Sequence, residues 1–184
     1  MRRGFVDHLY HALTSAGFSV FLDTYQIKRG DDISAALQHA IEVSHILIPI
    51  FSHNYARSTW CLKEVSLIVH EVLRKKRKDN ESAVAIPLFY DVTPSHVRHP
   101  DQSHGSPFAE AFQERERSGR YSPQEIDEWK AALFTLSNIS GWSLQEDTNG
   151  WVTHHCFLFF SILICLYASA FCSVLICLYA SVCA

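Results

Sequence analysis

Short apolar runs alternate along this chain with segments of helical periodicity, and this alternation restricts the possible folds more than any other feature. The apolar runs occupy residues 18–22, 45–51 and 84–90. The run at 45–51 is almost continuously apolar, which is typical of a strand buried on both faces of a sheet. Strands that alternate with helices are joined by right-handed crossovers and therefore lie parallel. We predict an α/β domain in which these three runs form a parallel sheet flanked by helices.

Apolar residues at helical spacing predict the helices that flank this sheet. The predicted helices lie around residues 5–13, 33–41, 58–76, 108–117 and 123–137. Ligands of open α/β sheets bind beyond the carboxyl ends of the strands. The loops that follow the three strands, together with the start of the helix predicted from residue 58, are therefore expected to surround one rim and to form any ligand site.

Charge and cysteine content exclude several classes of function. The net charge of −3 gives no overall basic field, so we expect no nucleic acid partner. The basic run at residues 74–78 is interpreted as the solvated end of a helix. Cys61 is the only cysteine before residue 155, which favours a reduced, cytoplasmic protein over a disulfide scaffold. The histidines show no metal-ligand spacing, so no metal site is predicted.

The composition changes after about residue 150, which divides the chain into a domain at 1–150 and an apolar tail at 151–184. The segment 156–184 exceeds the roughly 20 apolar residues that span a bilayer, although no Lys or Arg anchors flank it. The sequence LICLYAS at 163–169 recurs at 175–181, and on a helix the two copies would lie about 120° apart. Three interpretations remain open: translated non-coding sequence, a membrane anchor through 156–182, or a segment of the core.

Several motifs in the domain resemble those of plant-type TIR (Toll/interleukin-1 receptor/resistance) domains, as in TIR-NBS-LRR disease resistance proteins. The resemblance covers roughly residues 2–146 and rests on five motifs in the family's order: GFVDHLY at 4–10, RGDDI at 29–33, STWCLKE at 58–64, FYDVTPSHVR at 89–98 and SGW at 140–142. It implies a flavodoxin-like fold. The family's first strand and the loop after it have no counterpart, so we expect an N-terminally truncated domain with that strand missing. The strands on either side of it are then expected to lose ladder partners.

The resemblance further implies that the protein cleaves NAD+ between nicotinamide and ribose, in plant innate immune signal transduction. Glu64 would be the catalytic residue, expected at the exposed rim. The substrate-binding residues would be Trp60, Ser58, Arg29 and Gly30, although Ser58 could instead be only a helix N-cap and Trp60 could pack in the core. NAD+ would be the substrate, and no cofactor is expected.

A second function is compatible with the same resemblance. A truncated domain could lack activity and serve as an interaction module that associates with full-length TIR receptors. His8 matches a self-association position of the family, which implies other TIR domains as partners. A membrane would be involved only if the apolar tail is a genuine anchor.

Overall fold

The computed structural model describes residues 2–22, 35–76, 83–101, 105–144 and 173–177. Six α-helices lie in these ranges: α1 (Arg2–Ser15), α2 (Ala35–Val43), α3 (Thr59–Lys76), α4 (Pro94–Arg98), α5 (Pro107–Ser118) and α6 (Pro123–Ser137). Six strands accompany them: β1 (Ser19–Leu22), β2 (Ile46–Phe51), β3 (Val84–Ala85), β4 (Leu88–Tyr90), β5 (Trp142–Leu144) and β6 (Ser173–Cys177). A 3₁₀ turn at Tyr55–Arg57 leads into α3.

The strands form one parallel sheet in the order β1-β6-β2-β4-β5, and β3 pairs separately with β2. The predicted α/β fold and its parallel sheet are therefore confirmed. The third predicted strand is split, because Pro87 lies between β3 and β4 and has no N–H to donate to a ladder. The Pro87 carbonyl instead accepts a hydrogen bond of 3.0 Å from the Trp142 amide at the start of β5.

The position between β1 and β2 is filled from the C-terminal tail. In the flavodoxin-like order 2-1-3-4-5 this position belongs to the first strand. Here α1 begins at Arg2, and β6 pairs with both neighbours: Leu175 lies opposite Phe21 of β1 and opposite Leu47 of β2. The expectation that these neighbours lose their ladder partners is wrong, because β6 supplies them.

Strand β6 is the part of the apolar tail that the structure describes. Residues 173–177 pair with β1 and with β2, so this part of the tail belongs to the sheet. The remainder of 151–184 lies outside the described residues. Among the helices that are described, none has the length and apolar character needed to span a membrane.

Alternate residues of β2 divide the core into two layers. Ile46, Ile48 and Ile50 pack with the apolar face of α1, while Leu47 and Phe51 pack with α2, α3, α5 and α6. All six residues of β2 are buried, as the continuous apolar run predicts. The helix that carries Glu64 and the helix that carries His8 therefore lie on opposite faces of the sheet.

Local sequence explains where the later helices begin. At the start of α6, Ser122 Oγ accepts from the Glu125 amide, and the Glu125 carboxylate accepts from the Ser122 amide. Ser106 Oγ accepts from the Ala109 amide at the start of α5 and Thr93 Oγ1 from the His96 amide at the start of α4, and each cap is followed by proline at the first helical position. The sequence predicts only a loop between the strand at 84–90 and the helix at 108–117, and α4 lies within it because five residues are too few to show a helical period.

Candidate functional site

The start of α3 lies at the carboxyl edge of the sheet, where the topology predicts a ligand site. β2 ends at Phe51, and the chain reaches Thr59 through the 3₁₀ turn. Ser58 stands at the junction, where its hydroxyl accepts from the Cys61 amide at 3.3 Å and its carbonyl accepts from the Leu62 amide at 3.2 Å. The structure thus gives Ser58 the part of an N-cap, the alternative that the sequence left open.

Glu64 lies in the second turn of α3 and is buried, with 1 % of its surface exposed. The expectation of an exposed carboxylate at the rim is therefore wrong. Trp60 precedes Glu64 by one helical turn on the same face and is 8 % exposed, so it packs in the core layer of α3. Low-dielectric surroundings strengthen the action of a carboxylate at this position on a nearby positive charge.

Arg115 of α5 holds the approach to α3 in place. Its Nε and Nη2 each donate to the Ala56 carbonyl at 3.1 Å, and its Nη1 donates to Thr59 Oγ1 at 2.9 Å. Its guanidinium carbon lies 5.1 Å from the ring centre of Tyr121 and 5.5 Å from that of Trp129. The side chain thereby ties the residues before Glu64 to α5 and α6.

Arg115 was missed because the sequence around it, QERERSGR, is typical of a solvated surface. One signal could have revealed it. Counting from Phe108, residues 111, 112 and 115 follow at helical spacing, so Arg115 continues the apolar stripe of α5. A charged residue on that stripe is buried and needs partners.

A cleft of about 270 Å³ opens beside the start of α3. Its lining comprises Arg57, Thr59, Ala111, Glu114, Arg115, Ser118, Arg120 and Tyr121. Arg57 makes ion pairs of 3.3 Å with Glu110 and with Glu114, which neutralise part of the positive charge. A hydrogen bond of 2.7 Å with Thr59 lowers the pKa of Tyr121, and the charge of Arg115 lowers it further against the opposing effect of burial.

The far end of α3 carries a second buried acid. Glu71 is 4 % exposed, and its two oxygens each accept from Arg74 at 2.7 Å, which lowers the pKa of the Glu71 carboxyl. Lys75 is also buried and donates to the Ser44 carbonyl at 2.9 Å. The interpretation of the basic run as a solvated helix end is thus wrong for Lys75, because this side chain anchors α3 to the end of α2.

Asp91 marks the same carboxyl edge at the end of β4. It is the one non-glycine residue with a positive φ within the described ranges, at 53°. Aspartate tolerates this left-handed conformation better than bulkier residues do. Its amide donates to the Leu144 carbonyl at 2.9 Å, which fixes the exit of β4 against β5.

Of the remaining predicted residues, the structure describes only His8. Arg29 and Gly30 lie outside the described residues. His8 is exposed on α1, across the sheet from α3. Within the described ranges, no cluster of three His, Cys, Asp or Glu side chains is arranged to hold a metal ion.

Comparisons with known proteins show to which family this domain belongs. The family model of the TIR domain matches residues 1–155. The chain is 41 % identical over 145 residues to the disease resistance protein RUN1 of Vitis rotundifolia, covering 79 % of this chain and 10 % of that protein. It is 39 % identical over 140 residues to the TMV resistance protein N of Nicotiana glutinosa, covering 76 % of this chain and 11 % of that protein. The chain therefore spans about a tenth of the length of these curated relatives.

A solved structure gives the same result at the level of the fold. The TIR domains of the activated Roq1 resistosome, which directly recognises the pathogen effector XopQ, superpose with a TM-score of 0.71 at 33 % identity. That match covers 88 % of this chain and 92 % of the other. With its sheet, its motifs and these matches in agreement, the chain belongs to the TIR domain family.

Proposed function

We propose that this protein is an NAD+ glycohydrolase that acts in plant innate immune signalling. The observation that supports this most is the position of Glu64, a carboxylate buried in the second turn of α3 at the carboxyl edge of the sheet. Membership of the TIR family and relatives named as disease resistance proteins support the biological role.

The proposed reaction breaks the bond between the ribose carbon and the pyridinium nitrogen of NAD+. The bonding electron pair leaves with nicotinamide, which becomes neutral, so the leaving group needs no proton. Positive charge develops on the ribose, and the Glu64 carboxylate stabilises it. Water then attacks the ribose carbon and loses a proton to solvent, which gives ADP-ribose. Ordinary glycosidases need two carboxyl groups, one of which protonates the leaving group. Because nicotinamide leaves without a proton, one carboxylate is enough here.

The other candidate residues take different parts in this proposal. Ser58 caps α3 and Arg115 braces it, so both act as positioning residues for Glu64. Trp60 is mostly buried, and its small exposed part is available to line the ribose or nicotinamide pocket. Arg29 and Gly30 remain candidates for contact with the NAD+ phosphates.

The activity is tested by incubating the full chain with NAD+ and following nicotinamide release by liquid chromatography. The substitution Glu64→Gln keeps the shape of the buried side chain and removes its charge. We expect nicotinamide release by the wild type and a loss of about 10²–10³ in rate for the variant. Equal release by the two folded proteins would rule out the proposed role of Glu64.

A second function, that of a non-enzymatic interaction module, is favoured by the surface of α1. Asp7 and His8 are adjacent and exposed on this helix, away from the candidate site. We propose that other TIR domains are the partners of this surface, in line with the assembly named for the Roq1 structure. Cytoplasmic location is proposed with either function. A chain that self-associates and releases no nicotinamide would favour the module.

A further inference from the structure

The cleft beside the start of α3 is a second candidate site, because Glu64 does not line it. Its volume of about 270 Å³ is close to the lower limit of pockets that bind small molecules, roughly 300 Å³. Its lining consists of three arginines, one glutamate, three side chains with hydroxyl groups and one alanine. A small polar ligand therefore suits this cleft better than an apolar one.

Positive charge exceeds negative charge around the cleft. Glu110 and Glu114 both pair with Arg57, and neither Arg115 nor Arg120 has an acidic partner among the described residues. Arg115 is 7 % exposed, and the groups that accept its hydrogen bonds are a carbonyl and a hydroxyl, which carry no charge. Because buried charges are normally paired, an anion in the cleft would supply the partner that Arg115 lacks.

The hydroxyl groups of Thr59 and Tyr121 supply a further donor. The two hydroxyls carry two protons, and the 2.7 Å hydrogen bond between them uses one, which leaves the other for a different acceptor. That hydrogen bond lowers the pKa of Tyr121, and the charges of Arg115 and Arg120 lower it further against the opposing effect of burial. Since both arginines favour the anionic form of Tyr121, the same field favours a bound anion.

The turn between α5 and α6 places Arg120 at the cleft. Gly119 ends α5 in the left-handed conformation, with a φ of 60°. The hydroxyl of Ser118 then accepts from the Arg120 amide at 3.3 Å and donates to the Arg115 carbonyl at 2.7 Å. The backbone at Arg120 is thereby fixed next to the cleft, and its exposed side chain adds a cation to the lining.

We propose that this cleft binds a phosphate group, carried by inorganic phosphate or by a small phosphomonoester. The named hydrogen bonds of Arg115 use three of its five N–H groups, so two are left to donate. The tetrahedral oxygens of a phosphate can accept from Arg115, Arg120 and the hydroxyl pair at once, whereas a planar carboxylate offers two oxygens. The ring of Tyr121 already packs against Arg115 and Trp129, so recognition is assigned to the phosphate group and not to an attached base.

The test is a titration of the full chain with inorganic phosphate at constant ionic strength, followed by amide NMR spectra. Arg120→Gln should weaken phosphate binding by about threefold to fivefold, the range of an exposed ion pair. Glu114→Gln removes the one carboxylate of the lining and should tighten binding by a similar factor. Arg117→Gln is the matched control, because Arg117 is exposed on the same helix and does not line the cleft, and it should stay within about twofold of the wild type.

Three outcomes would overturn the proposal: no saturable binding of phosphate, equal weakening by Arg120→Gln and Arg117→Gln, or acetate binding as tightly as phosphate. Glycerol 3-phosphate should bind with the same order of variants as inorganic phosphate, and glycerol should not bind. Glu64→Gln should bind phosphate like the wild type, because Glu64 lies outside the cleft. Loss of phosphate binding in folded Glu64→Gln would place the phosphate elsewhere and would also contradict the proposal.

Discussion

Replacing Arg115 by alanine should destabilise the domain by about 3 kcal/mol. The wild-type side chain is buried and donates three hydrogen bonds, two to the Ala56 carbonyl and one to Thr59. Hydrogen bonds to charged groups each contribute about 1.5–3 kcal/mol, and cation–π contacts with rings such as those of Tyr121 and Trp129 about 0.5–1 kcal/mol. Because these contributions share one side chain, they are not additive, and we take about 3 kcal/mol, roughly half of the lower end of their sum.

The assay is thermal unfolding followed by circular dichroism. For a domain of this size, about 1 kcal/mol corresponds to roughly 2–4 °C, so Arg115→Ala should melt about 6–12 °C below the wild type. Arg117→Ala is the matched control, because Arg117 lies on the same helix and is exposed. The control should stay within about 0.5 kcal/mol of the wild type. If the two variants melt within 2 °C of each other, the bracing role of Arg115 is refuted.

Three further changes have defined outcomes. Gly141→Ala should lower the free energy of unfolding in urea by about 1–3 kcal/mol, because the added methyl would overlap the Pro87 carbonyl oxygen and lie 2.7 Å from the Pro87 Cγ. An unchanged urea midpoint would contradict this packing. The Arg74 hydrogen bonds lower the folded-state pKa of Glu71, so the stability that Glu71 adds is fully present above its unfolded pKa of about 4.3 and is lost as pH falls through the folded value. The stability difference between wild type and Glu71→Gln should therefore shrink between pH 6 and pH 3, and a constant difference would oppose the assignment. His8→Ala should weaken self-association across a concentration series in sedimentation velocity, and identical profiles would count against the α1 surface.

The sequence was sufficient to predict the main helices and strands because their apolar patterns are unambiguous. The continuous run around β2 and the stripe of α3 each predicted a buried element, and both were found with boundaries within two residues. β5 was missed because its three residues are too few to show a period. β6 was missed for a different reason: on a helix, two copies of the repeat twelve residues apart do not share a face, and that spacing gave no sign of a strand.

The burial of single polar side chains could not be predicted in the same way. Glu64 and Lys75 both lie on the buried side of α3, yet a stripe that counts only apolar residues leaves them out. The burial of Lys75 depends on a partner from a distant part of the chain, the Ser44 carbonyl that accepts from it. The family motif identified Glu64 as the candidate acid, but only the packed structure shows that its side chain is buried.

The proposed catalytic role of Glu64 is tested most directly by the kinetics of NAD+ cleavage in two matched variants. Glu64→Gln and Glu71→Gln make the same substitution at two buried positions of α3, two turns apart, and only the first lies at the carboxyl edge of the sheet. Charge on the ribose develops only in the transition state, so Glu64→Gln should lower kcat by about 10²–10³ and leave KM within a few fold. Glu71→Gln, assayed where circular dichroism shows it folded, should keep kcat within a few fold of the wild type. A Glu64→Gln variant that changes KM alone, or that loses no more kcat than Glu71→Gln, would contradict the role assigned to Glu64.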